Sequence, residues 1–130
     1  MKEELKTEPT LQKIEDLIEY AYPQIDKFPR SERGYEGMAT RLKGIMARMA
    51  DRANDTKKCY YPKSLLKTLG ELDKEIAYCK FWVKVAKDLK LLPFDKFSNI
   101  NDYLSEIGRM TGSWIKTVLE NEEKSNHGKK

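Results

Sequence analysis

Apolar residues recur along the chain in four blocks, and within each block the steps alternate between three and four. The first is Leu11, Ile14, Ile18, Ala21, Ile25 and Phe28. The second is Tyr35, Met38, Leu42, Ile45, Met49 and Ala53. The third is Leu65, Leu69, Leu72, Ile76, Cys79, Val83 and Ala86. The fourth is Phe97, Ile100, Leu104, Ile107, Thr111, Trp114 and Val118. Residues three and four apart share one side of an α-helix, so each block predicts an amphipathic helix. The rhythm suits helices that pack at a shallow angle to one another.

Helix-breaking residues fall between the blocks. Pro29 follows Phe28 and separates the first two, and Ser31 is placed to cap the second helix. Tyr61-Pro62 opens the third, because proline is tolerated in a first turn. Leu92-Pro93 is expected to end it. Tyr22-Pro23 interrupts the first stripe and predicts a kink or an early end there. The connections are short, so sequential helices should run antiparallel. The expected fold is therefore all-α, an up-down-up-down four-helix bundle over residues 9–120. Residues 1–8 and 121–130 read as frayed ends. Gly108 and Gly112 lie one turn apart on the fourth helix, where each costs ~1 kcal/mol relative to alanine. A close helix-helix approach would offset that cost.

Composition agrees with a single domain. The chain has 130 residues, 39% hydrophobic and 35% charged, with seven glycines and five prolines. That length can bury a core without disulfides or metals. No stretch approaches the ~20 apolar residues that a membrane span requires. The opening Met1-Lys2-Glu3-Glu4 lacks the apolar run of a signal peptide, which makes the cytoplasm the expected compartment.

Candidate chemistry is sparse. Cys59 and Cys79 fit no zinc or redox spacing, and Cys79 falls on an apolar stripe as a small core residue. The single histidine, His127, lies in a polar tail. A folded Ser-His-Asp or Cys-His site is thereby excluded, and so is histidine-based metal chemistry. Asp102 and Glu106 are four apart on the fourth helix, but an acid/base pair also needs shielding from water. Gly34 and Gly37 are not followed by the Lys-Ser/Thr of a phosphate loop. No catalytic residue, metal or cofactor is expected.

Charge changes the picture more. The net charge is +4. Ser31–Lys58 holds seven basic and four acidic residues, as does Pro62–Lys90. Thr10–Phe28 holds two basic and four acidic residues, and Phe94–Glu120 three and four. The second and third helices are therefore the basic side of the bundle. Lys80, Lys84 and Lys87 share a face of the third helix, interleaved with Phe81 and Trp82. Arg41, Arg48 and Arg52 share a face of the second. Rows of cations suit a phosphate backbone, and they also occur on ordinary solvated helix faces. Tyr78, Phe81 and Trp82 exceed what one small core can hold, which points to a subunit interface.

The run Ser105-Glu106-Ile107-Gly108-Arg109-Met110-Thr111-Gly112-Ser113-Trp114 resembles the C-terminal signature of the accessory variability (Avd) proteins of diversity-generating retroelements. Tyr22-Pro23 with Lys27-Phe28-Pro29-Arg30 resembles that family's Tyr-Pro and Phe-Pro-Lys/Arg pattern. Phe81-Trp82-Val83-Lys84-Val85-Ala86-Lys87-Asp88-Leu89 resembles its basic third-helix segment. The resemblance implies a four-helix bundle that assembles as a ring-like homopentamer. It implies binding of RNA or DNA and of a reverse transcriptase, in support of error-prone cDNA synthesis. On this chain the implied basic positions are Lys80 and Lys84. Lysine there keeps the charge of the arginine often found in the family but loses its bidentate grip on phosphate. Two other readings stay open. One is a four-helix protein of the type encoded in intervening sequences of ribosomal RNA, and the other is a pure protein scaffold.

Overall fold

The structure is a computed structural model that describes the backbone of residues 2–128 and the side chains of residues 6–125. The side chains of residues 1–5 and of His127 lie outside the described residues. Four helices follow one another: α1 (Lys2–Ile25), α2 (Met38–Asp55), α3 (Pro62–Asp88) and α4 (Phe94–Gly128). There is no strand among the described residues. Each helix packs on its two neighbours in cyclic order, with α1 against α2 and α4, and α3 against α2 and α4. All four neighbouring pairs are antiparallel. Tyr22 on α1 donates to the Lys43 carbonyl at the start of α2 (3.0 Å), while Thr7 meets Thr56 just past the end of α2. Arg41 lies opposite Trp82 on α3, and Tyr20 opposite Tyr103 on α4.

The third stripe is buried as read from the sequence, all seven residues from Leu65 to Ala86. The fourth is buried from Ile100 to Val118, with Phe97 half-buried. The first is rotated. Its buried line is Thr7, Thr10, Ile14, Leu17, Ala21 and Ile25, whereas Leu11 and Ile18 sit half-buried at its edge. Two threonines can line the core because their hydroxyls are satisfied. Thr10 donates to the Lys6 carbonyl (2.8 Å), and Thr7 pairs with Thr56 (2.8 Å), which also donates to the Ala53 carbonyl (2.6 Å). This burial carries α1 back to Lys2, ahead of the expected start at residue 9, and α4 likewise continues past residue 120. Tyr35 is not a core residue: it is 94% exposed in the loop before α2.

The turns also differ from expectation. Ser31 does not cap α2. It lies in a short 3-10 turn, Arg30–Glu32, which opens at Pro29, and the Pro29 carbonyl accepts from the Glu32 amide (2.8 Å). The cap of α2 is instead Gly37, and the Glu32 carboxylate accepts from the Met38 amide (2.9 Å). A side chain at Gly37 would place its Cβ 2.3 Å from the Glu32 carbonyl oxygen, so only glycine fits. Pro23 sits inside the last turn of α1 without ending it. At the other hairpin α3 stops at Asp88, well before Pro93. Lys90 takes the left-handed conformation (φ 64°), and the Leu91 amide reaches back to the Ala86 carbonyl (2.9 Å). That is a Schellman closure. Pro93 instead opens α4, its carbonyl accepting from the Phe97 amide (2.9 Å).

The core has two parts. Most of the buried residues form one cluster, and Leu65, Leu69, Trp114 and Val118 form a second, where α3 begins and α4 nears its end. Trp114 is 1% exposed, and its indole Nε1 has no hydrogen-bond partner among the described residues. Of the two expected close-packed glycines, only Gly108 has a neighbour, since a Cβ there would lie 3.7 Å from Ile76 Cγ2. Gly112 faces open space. Two outcomes follow for stability, both measurable by chemical denaturation. Trp114→Ala is expected to lose ~3–5 kcal/mol, as buried aromatic deletions do. Gly112→Ala is expected to gain up to ~1 kcal/mol, because nothing opposes the better helix former.

Candidate nucleic-acid interface

The rotation of α3 is set by its buried stripe, and that rotation sorts its remaining side chains into three sets. One flank faces α4. There Lys80 is half-buried, its Nζ 4.0 Å from where a Gly108 Cβ would stand, an ordinary contact distance. Lys87 lies over the Phe97 ring (4.6 Å) and pairs with Asp88 (3.4 Å). Lys84, one turn before Asp88, also pairs with it (3.0 Å). The Lys84 hydrogen bond holds the Asp88 carboxyl below its ordinary range.

The other flank faces α2, and the predicted arginines lie along it. The Arg41 guanidinium stacks 4.6 Å above the Trp82 ring. Arg48 Nε binds both carboxylate oxygens of Glu75 (3.2 and 3.1 Å), and Arg52 pairs with Asp55 (2.7 Å). The lysine and arginine sets therefore do not form one patch, because the outer ridge of α3 stands between them. Four of the six cations are paired with a carboxylate, Lys84 and Lys87 sharing Asp88. An exposed pair of this kind is worth ~0–1 kcal/mol, and it leaves little net field for a ligand.

The ridge carries cations of a different kind. Lys63, Lys67 and Lys74 are exposed and, like Lys80, form no ion pair among the described residues. Steps of four and seven keep the first three on one line of the helix. Sequence reasoning passed over this row. Its spacing is visible in the sequence, outside the cluster nearest the aromatic residues. What the sequence does not display is which lysines a carboxylate from another turn or helix will claim. Glu71 lies one turn from both Lys67 and Lys74 on the same outer side, and Asp73 lies roughly 100° around the helix from the row.

Asp102 and Glu106 line a shallow groove between α1 and α4 with Lys13, Tyr20, Asn99 and Tyr103. Asp102 is exposed, and Glu106 is bound to Arg109. No group of three or more metal-ligating side chains occurs among the described residues. No helix among them is long and apolar enough to cross a membrane. Arg109 and Gly112 point outward from α4, while Ile107, Thr111 and Trp114 of the same run point into the core.

These features define a small antiparallel four-helix bundle with a row of cations, free of ion pairs among the described residues, along the outer side of α3. The chain belongs to the bAvd-like family, which it matches over residues 10–118. Among solved structures it is similar to a protein of unknown function from the S23 ribosomal protein family of Bacteroides thetaiotaomicron. The two share 14% identity with a TM-score of 0.72, over 89% of this chain and 99% of that one. This likeness speaks to the fold. No curated protein matches the chain.

The two thiols differ in environment. Cys79 is fully buried, and burial, reinforced by the nearby Glu75 charge, pushes its pKa up to about 12. Cys59 is half-buried in the α2–α3 connection, 3.3 Å from the Thr68 hydroxyl. Because the thiolate is the reactive species, a thiol reagent at pH 8 should label one cysteine in the native protein and both after denaturation. Rapid native labelling of Cys79, read by peptide mass, would contradict the packing of α3 described above.

Proposed function

We propose that this protein is a non-catalytic accessory protein of a diversity-generating retroelement. In this reading it binds RNA or DNA through the α2/α3 side and associates with the reverse transcriptase during mutagenic cDNA synthesis in the cytoplasm. The polymerase supplies the chemistry, and the bundle supplies a charged surface. Membership of the bAvd-like family supports the accessory role. The observation that carries nucleic-acid binding is the row of unpaired lysines, Lys63, Lys67 and Lys74 with Lys80 beside it. Phosphates gain most from cations that have no carboxylate to leave. Assembly as a homopentamer would raise +4 per chain to about +20, a field that draws in polyanions from a distance. Gly112 and Arg109, outward on α4, are free to meet another subunit or the polymerase.

Contacts to phosphate position a strand without reading its sequence, so binding is expected to be sequence-tolerant and steeply salt-dependent. The test is RNA affinity by fluorescence anisotropy across a salt series, with mass by light scattering alongside. Replacing Lys63, Lys67 and Lys74 with glutamine should flatten the slope of log K against log salt by about 2 for a single strand. The paired residues Lys84 and Lys87, replaced in the same way, should flatten it by less. A protein that ignores RNA at low salt would overturn the reading and leave a scaffold. A pull-down with the reverse transcriptase of a diversity-generating retroelement separates the retroelement role from that of an intervening-sequence protein of the same fold.

A further inference from the structure

The outer ridge of α3 carries rings as well as lysines. Tyr78 and Phe81 are 53% and 59% exposed, and steps of four and three continue the line of Lys63, Lys67 and Lys74. The ridge from Lys63 to Phe81 is about 27 Å long at the helical rise of 1.5 Å per residue. At its other end Tyr60 and Tyr61 are also exposed. Phe81 is braced from one side: its ring meets the edge of Trp82 at 5.1 Å between centroids, and Trp82 in turn lies under Arg41. Its remaining surface faces solvent. A large apolar ring left in water forgoes burial that would have stabilised the fold, and a braced one loses little freedom on meeting a ligand.

We infer that this ridge is a stacking platform for unpaired bases, so that the protein takes single-stranded nucleic acid in preference to duplex. The lysines follow the sugar-phosphate backbone, and successive bases lie on Phe81 and Tyr78. The reason is geometric. Bases in a duplex have both faces covered by their neighbours, so a protein ring reaches a base face only where the strand is unpaired. Lysines alone would serve a duplex equally well; lysines in line with exposed rings favour the open strand. The row of cations answers a polyanionic strand along its whole length, and a second subunit seated on the same rings is told apart from it by oligomer mass. The inference rests on the nucleic-acid reading above and adds to it the form of the ligand.

The test uses the full chain, a labelled oligouridine and a matched RNA duplex, with affinities by anisotropy and mass by light scattering. Phe81→Ala and Tyr78→Ala should each weaken oligouridine binding about fivefold to a hundredfold, with duplex affinity and the salt slope unchanged. Phe81→Trp should retain binding, and its fluorescence should be quenched as the strand stacks on it. The Lys63, Lys67 and Lys74 glutamine variant should weaken both ligands. If the alanine variants bind oligouridine as the parent does while the lysine variant does not, nucleic-acid binding stands and the platform is refuted. If the parent binds neither RNA, the underlying reading fails with it. If losing either ring changes the oligomer mass, the ridge is covered by another subunit, and the platform is refuted on that ground.

Discussion

Burial of one face of α3 is the constraint on which the other features depend. Seven side chains from Leu65 to Ala86 pack between α2 and α4. Each of the larger ones gains ~1.5–3 kcal/mol on leaving water, whereas an exposed ion pair gains ~1 at most. The core therefore decides how α3 is rotated, and the charges accept the positions that remain. Lys80 is turned toward α4, Glu75 toward Arg48, and Lys63, Lys67, Lys74 and Phe81 outward. The charged ridge is in this sense a by-product of apolar packing, and a change in the α3 stripe would move it.

Different parts of the molecule were legible in the sequence for different reasons. In α3 the stripe from Leu65 to Ala86 is an unbroken series of three-four steps with no apolar residue missing, and it is the line that the core buries. In α1 the apolar residues form two adjacent lines, and the line through Leu11 and Ile18 competes with the one through Leu17 and Ala21. What settles the choice is Thr7 and Thr10, which look like surface residues in a sequence but bury hydroxyls that already have partners. Ser31 looked like a cap by residue type, yet the cap needs a carboxylate six residues before Met38 and a glycine that lets the chain pass close to Glu32. Among the charges, spacing identified faces correctly, but neutralisation depends on distances such as Arg48 to Glu75 that no local pattern encodes.

The family signature on α4 divides between inside and outside. Ile107, Thr111 and Trp114 are buried in the core, and Gly108 faces Ile76 and Lys80 at contact distance. Arg109 and Gly112 contribute little to the bundle itself: one holds only the neighbouring Glu106, and the other faces open space. A residue that the isolated fold does not use is where an assembly has latitude to act, and this helix has two of them on one exposed side.

The buried pair Thr7 and Thr56 has a further consequence. Four helices with the same three-four rhythm have alternative axial registers, since a slip of α1 by two turns would set Ile14 where Thr7 now lies and still bury apolar surface. The hydroxyl pair distinguishes between them. In the slipped arrangement Thr56 would face a hydrocarbon and keep only its bond to the Ala53 carbonyl, and the hydrogen bond that ties α1 to the end of α2 would be lost, at a net cost of ~1 kcal/mol. One short polar contact thus acts as an index mark on an otherwise repetitive surface, selecting a single alignment from several that the hydrophobic effect alone would leave nearly degenerate.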